Sequence, residues 1–152
     1  MGKKILAPLD GSDLSECALE HIKAIATGCQ VPEVVLLRVV EPIPVVAGDW
    51  SPPENWRRDA ERRALDAAKN HLAGVAANLK EGGVTAKTVV VSGRAADEIL
   101  DYIKKNDVDL VIISTHGRSG VSRWVLGSVA DRVVRHSRAP VLTVAPAGCR
   151  ID

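Results

Sequence analysis

Phenylalanine is missing from this 152-residue chain, and aromatic residues of all kinds make up only 3% of it. Little is left on which splayed bases could stack, so recognition of nucleic acid is not expected. Charge of one sign is also lacking. Twenty basic residues face nineteen acidic ones, giving a formal net charge of +1 and no global basic field. Cysteine is scarce: Cys17, Cys29 and Cys149 form no CxxC pair and no zinc spacing with the four histidines. An odd count without a leader suggests reduced thiols and a cytoplasmic protein. No apolar run approaches the roughly 20 residues that span a bilayer. Met1-Gly2-Lys3-Lys4-Ile5 runs straight into a strand pattern, so no secretory segment is expected.

Apolar residues at 46% and charged residues at 26% describe an ordinary soluble globule. A chain this long buries roughly two thirds of its unfolded surface around one core. One domain over 1–152 is the expectation. Residues 4–9 read as a first strand, with Pro8 tolerable near its end. Ser12 or Asp13 caps a first helix, with Asp13 and Glu16 approximating a capping box. Ala18, Ile22, Ile25, Ala26 and Cys29 give that helix its inward stripe. Val34 to Val40 is a second strand, and the proline-rich stretch 41–53 is either a lid over a ligand or a plain crossover loop.

A long helix follows from Glu54 to Glu81, with Ala60, Ala64, Ala68, Leu72, Val75 and Leu79 on one stripe. Its Arg57–Arg63 run reads as a solvated face with an Asp59–Arg63 pair. His21 and His71 have no ligand partner at helical spacing and read as surface or stripe-edge residues. Thr85 to Val91 is the third strand. Ala95, Ala96, Ile99, Leu100 and Ile103 form the third helix's inward face. This alternation implies an α/β fold with a five-stranded parallel sheet between helix layers.

The most informative stretch runs from Asp109 to Val144. The β-branched run Leu110–Ile113 is a strand covered on both faces. It leads into Ser114-Thr115-His116-Gly117-Arg118-Ser119-Gly120, then Gly127-Ser128 and a helix pattern with Val129, Ala130, Val133 and Val134 inward. Gly117, Gly120 and Gly127 can adopt positive φ and let phosphate oxygens approach the main chain. Ser128 and Val129 open the helix, where free N–H groups favour an anion. On spacing alone, this segment is equally a phosphate cradle or a surface loop whose Ser128 caps a helix. His116 and Arg118 fit loop-shaping or phosphate contact better than acid–base work. Pro140 then precedes a last strand, Val141–Val144.

This segment resembles the nucleotide loop of the universal stress protein family, Gly-x2-Gly-x9-Gly-Ser/Thr. Gly117 and Gly127 match the second and third glycines, Ser128 matches the hydroxyl position, and Ser114 replaces the first glycine. Ala7-Pro8-Leu9-Asp10-Gly11-Ser12 resembles the family's first-strand motif, and Ala139–Val144 resembles its last strand. The resemblance implies a Rossmann-like, single-domain three-layer sandwich with strand order 3-2-1-4-5, which the sequence itself does not choose over 2-1-3-4-5. It implies that Asp10 contacts ribose or adenine, with Pro8 and Leu9 lining the pocket. Val39 or Val40 would offer backbone groups to the adenine edge. Read from the residues alone, Asp10 is also compatible with a simple strand-end turn.

The implied cofactor is ATP, or AMP or ADP, with Mg2+ as a companion of the phosphates. The implied assembly is a homodimer through strand 141–144, whose edge needs covering. No Gly-x4-Gly-Lys-Ser/Thr loop, HxGH pair or SGGxDS loop is present, so slow ATP hydrolysis is the most chemistry expected. A phosphoacceptor receiver domain is excluded, since Val91-Ser92-Gly93 lacks the acceptor aspartate and Val144-Ala145-Pro146 lacks the lysine. A family member that binds no nucleotide and works through dimerisation and protein partners is the alternative, favoured by Ser114.

Overall fold

The β-branched runs become strands, and the stretches of 3.6-residue periodicity become the helices that cover them. The structure, a computed structural model, describes residues 3–11, 18–42, 53–115 and 127–145. In chain order these hold β1 (Lys4–Pro8), α1 (Leu19–Gly28), β2 (Glu33–Val40), α2 (Glu54–Glu81), β3 (Ala86–Ser92), α3 (Ala95–Lys105), β4 (Leu110–Ser114), α4 (Ser128–His136) and β5 (Val141–Val144). All pairings are parallel and the order is β3-β2-β1-β4-β5. β1 therefore lies between β2 and β4, with Ile5 opposite both Val34 and Leu110. The chain reverses its direction of travel across the sheet at β1, and such a switch point leaves a crevice beyond the carboxyl ends of the strands.

Alternation along the strands divides the core into two layers. Ile5, Ala7, Leu9, Val34, Leu36 and Ile112 pack with Ala18, Ile22 and Ala26 of the α1 side and with Leu72, Val75 and Leu79 of α2. Leu6, Val35, Leu37, Val111 and Ile113 pack with Ile99 and Ile103 of α3 and with Ala130 and Val133 of α4. Each large aliphatic side chain removed fully from water here contributes about 1.5–3 kcal/mol. Central strands buried on both faces explain the unbroken apolar runs of β1 and β4 and that of β2 up to Leu37.

α2 is longer than the sheet it covers. At 1.5 Å per residue its 28 residues extend about 42 Å, against about 26 Å for the eight residues of β2. Its fully buried positions, Ala68, Leu72, Val75 and Leu79, all lie in the second half. The first half overhangs the carboxyl ends of the strands.

Several expectations need correction. Cys29 is exposed and does not belong to the α1 stripe: it is the C-cap, and Gln30 with φ of 50° turns the chain away. Val134 is exposed, because the inward arc of α4 is narrow and Ala130 and Val133 fill it. Asp59 pairs with Arg62 at 3.2 Å, while Arg63 donates to the Asp59 carbonyl at 3.3 Å. β3 runs to Ser92, one residue beyond the expected end, because Ser92 still pairs with Val40. The capping box at Asp13 and Glu16, and Cys17 and Cys149, lie outside the described residues.

Candidate functional site

The carboxyl ends of β1, β2 and β4 open into a cavity of about 700 Å3. That size suits a small organic ligand. Pro8, Leu9 and Asp10 supply one wall, Val39 and Val40 the next, and Ser114, Gly127, Ser128 and Val129 the far one. Nine residues singled out in the sequence thus meet around a single hollow. His116, Gly117, Arg118 and Gly120 lie outside the described residues.

At the β1 side the ladder continues one residue past the strand, as the Leu9 N–H donates to the Leu37 carbonyl at 2.8 Å. This holds Asp10 at the rim, half-buried and lining the cavity. Gly11 follows with φ of +83°, a conformation that side chains resist. A side chain there would also overlap the guanidinium of Arg38, which lies directly against it. Arg38 Nη1 donates to His71 Nδ1 of α2 at 3.3 Å. His71, half-buried on α2, is therefore bonded to a residue that lines the cavity. Arg38 lines the cavity, and a β-strand alternation of hydrophobic residues gave no reason to look for it.

At the β4 side Ser114 and Thr115 are buried. The Thr115 N–H donates to the Val144 carbonyl at 2.9 Å, extending the β4–β5 ladder. The Gly127 N–H donates to the Thr115 carbonyl at 2.8 Å, which holds the start of α4 beside the end of β4. Gly127 is the N-cap of α4 with φ of −60° and ψ of 154°. It does not use positive φ, and its N–H is engaged by Thr115. Ser128 is the first residue of the helix rather than its cap. The first amide donating along the helix is that of Asp131, to the Gly127 carbonyl at 2.9 Å. The amides of Ser128, Val129 and Ala130 precede it and belong to the turn whose donors a helix cannot satisfy from within. All three residues line the cavity.

α3 also begins at this rim, through Ala95. The Gly93 N–H donates to the Val40 carbonyl at 3.1 Å and brings the start of α3 beside the end of β2. There the Ala95 N–H donates to Glu41 Oε1 at 3.3 Å. Glu98 folds back over Gly93 and would clash with any side chain there. An ion pair of 2.7 Å between Arg132 and Asp97 joins α4 to α3. Glu41, Thr115, Ala64, Ala67 and Ile99 are cavity residues that the sequence pattern did not single out. Glu41 and Thr115 carried a signal, each being the first polar residue beyond a strand's carboxyl end. Among the described residues no group of three or more His, Cys, Asp or Glu side chains could hold a metal ion.

Comparison with known proteins agrees with this architecture. The sequence pattern of the Universal stress protein family matches residues 1–145. Universal stress protein MJ0577 of Methanocaldococcus jannaschii is 32% identical over 155 residues, covering 95% of each chain. A solved structure of MJ0577 superposes with a TM-score of 0.82 at 31% identity, covering 100% of this chain and 99% of that one. A family protein from Arabidopsis thaliana, solved with AMP bound, shares the fold at 20% identity and a TM-score of 0.67, over 94% and 91% of the two chains. A universal stress protein solved in complex with cAMP shares it at 20% identity and a TM-score of 0.63, over 95% and 98%.

Proposed function

We propose that this chain, which belongs to the universal stress protein family, binds an adenine nucleotide in the cavity at the carboxyl ends of β1, β2 and β4. The observation that carries the reading is the convergence on one hollow of Asp10, the β2 end at Val39 and Val40, and the unsatisfied first turn of α4. The phosphates take the amides of Ser128, Val129 and Ala130, where the helix dipole favours negative charge. Asp10 grips the ribose hydroxyls, Pro8 and Leu9 line the pocket, and the backbone of Val39 or Val40 meets the adenine edge. His116, Gly117, Arg118 and Gly120 complete the phosphate end. Relatives of the same fold solved with AMP and with cAMP support an adenine nucleotide as the ligand.

ATP is the proposed physiological ligand, and the protein acts as a stress-response binding and signalling module in the cytoplasm with at most slow ATP hydrolysis. Mg2+ ordinarily keeps several waters and takes only one or two carboxylates beside the phosphates. Asp10 at the rim can supply one such contact, so the residues present fit an ion carried in by the nucleotide. No helix among the described residues is long and apolar enough to cross a membrane.

The proposed assembly is a homodimer. Among the described residues β5 is paired on one side only, by β4, and Leu142 on it is 37% exposed. An antiparallel copy of β5 would satisfy that edge. Sedimentation of a monomer at micromolar concentration contradicts the dimer.

The alternative, a member that binds no nucleotide, draws on Ser114. Ser114 is 7% exposed and therefore sits inside the wall of the cavity. Calorimetric titration with ATP, ADP and AMP decides between the two readings. Heat and saturation at submillimolar ligand are expected. A folded sample giving no heat at millimolar ligand overturns nucleotide binding.

A further inference from the structure

We infer that Arg38, steadied by His71, is a positioning residue that fixes the turn after β1 and so aims the Asp10 carboxylate at the ribose. The inference takes its ligand from the nucleotide-binding reading above.

A charge on β2 needs a reason. Val34, Leu36 and Arg38 alternate toward the α2 side of the sheet, and the first two are fully buried in that core layer. An aliphatic side chain at position 38 would extend the same packing, whereas a guanidinium has to find hydrogen-bond partners as it leaves water. Here it meets two elements at once. Its Nη1 donates to His71 Nδ1 at 3.3 Å. It also lies directly against Gly11, where an added Cβ would overlap Nη1 and stand 2.8 Å from Cζ.

Both partners are set by the fold. His71 lies one helical turn beyond Ala67 on α2, and Ala67 lines the cavity with Ala64. Arginine has only donors, so this bond requires the imidazole to carry its proton on Nε2. At the other side, the Leu9 N–H donates to the Leu37 carbonyl at 2.8 Å and carries the β1–β2 ladder to the residue before Asp10. Gly11 then turns the chain at φ of +83°. Glycine is conformationally permissive, so the aim of Asp10 depends on what packs on that turn. The guanidinium packs there and, through His71, ties the turn to α2. Arg38 and Asp10 both line the cavity.

The test compares ATP with 2′,3′-dideoxy-ATP, which lacks both ribose hydroxyls. Calorimetric titration is carried out on the natural chain, Arg38→Met, His71→Leu and His71→Asn. The readout is the ratio of the two affinities, because removing a cation from the cavity weakens both triphosphates alike. In the natural chain ATP is expected to bind about tenfold tighter, as a hydrogen bond to a carboxylate allows. In Arg38→Met and His71→Leu the ratio falls to about twofold as that bond loses its alignment. His71→Asn puts a carbonyl oxygen where Nδ1 stands and restores the natural ratio. In Asp10→Ala the two nucleotides bind alike, and adding Arg38→Met changes the ratio no further.

A natural ratio that survives in folded Arg38→Met and His71→Leu overturns the inference, as does a natural chain that binds both nucleotides equally. A ratio that still changes with Arg38→Met in the Asp10→Ala background makes Arg38 itself the ribose contact and overturns it too. Backbone 15N relaxation reads the turn without any nucleotide. The order parameters of the Asp10 and Gly11 amides are expected near about 0.85 in the natural chain and His71→Asn, falling toward about 0.6 in Arg38→Met and His71→Leu. If ATP gives no heat with the natural chain, nucleotide binding has failed and this arm decides alone. Loosening of the two amides then sustains the positioning of Asp10, and unchanged order rejects it.

Discussion

α3 and α4 start at the rim of one cavity, and the chain treats them in opposite ways. The start of α3 is closed by a distant acid, with Glu41 reaching Ala95 across 54 positions of sequence. The start of α4 has a glycine at its cap and no side-chain cap bond, and its first three residues line the hollow. The difference shows that a helix N-terminus is not by itself a binding site. What matters is whether the fold has already supplied the anion.

That contrast can be broken at four places, in falling order of effect. Asp10→Ala removes the group proposed to hold the sugar, and a charge-assisted hydrogen bond of about 1.5–3 kcal/mol goes with it. Nucleotide affinity measured by calorimetry should fall by roughly 10- to 100-fold, while an unchanged affinity would return Asp10 to the role of a turn residue. Ser128→Asp makes α4 resemble α3 by placing a carboxylate on its first residue. The expected result is a loss of affinity for AMP of about tenfold together with a gain in folding stability of about 0.3–1 kcal/mol. A variant that gains stability and keeps its affinity would show that the ligand does not use this helix start.

Smaller effects sharpen the comparison from the α3 side. Glu41→Ala removes the acceptor of the Ala95 amide, and losses of helix caps typically cost about 0.5–2 kcal/mol. Because Glu41 is exposed and its bond is 3.3 Å long, the lower end of that range is expected in urea denaturation. Asp97→Asn breaks the 2.7 Å pair with Arg132. Both partners are about half exposed, so a change under about 0.5 kcal/mol is expected, shrinking further in high salt.

The elements of the fold were easier to read from the sequence than the partners of the site. Glu54–Glu81 and Val141–Val144 have the expected limits, because periodicity and proline or glycine punctuation are local signals. The boundary of β3 moved because register with β2, and not local composition, ends that strand. The strand order came from resemblance to a family, since periodicity has no term for which strand lies beside which. Asp10 and Ser114 were legible as strand-end positions because open α/β sheets place ligands at carboxyl ends, while Val39 and Val40 came from the family resemblance; all four line the cavity. Arg38 with His71, and Glu41 with Ala95, were not legible. Each pair joins positions that are neighbours only after the sheet has assembled. Ser128 was read as a cap or a phosphate ligand, and the helix beginning one residue later than its cap Gly127 removes the first option.

The bond from Gly127 to Thr115 has a further consequence for how this chain can change. Because that bond holds the end of β4 against the start of α4, the number of residues joining them can vary without pulling on either element. Closing a loop twice as long costs only about 0.6 kcal/mol more. A graft of different length between Thr115 and Gly127 should fold as readily as the original, which makes this seam a natural place to vary the chain.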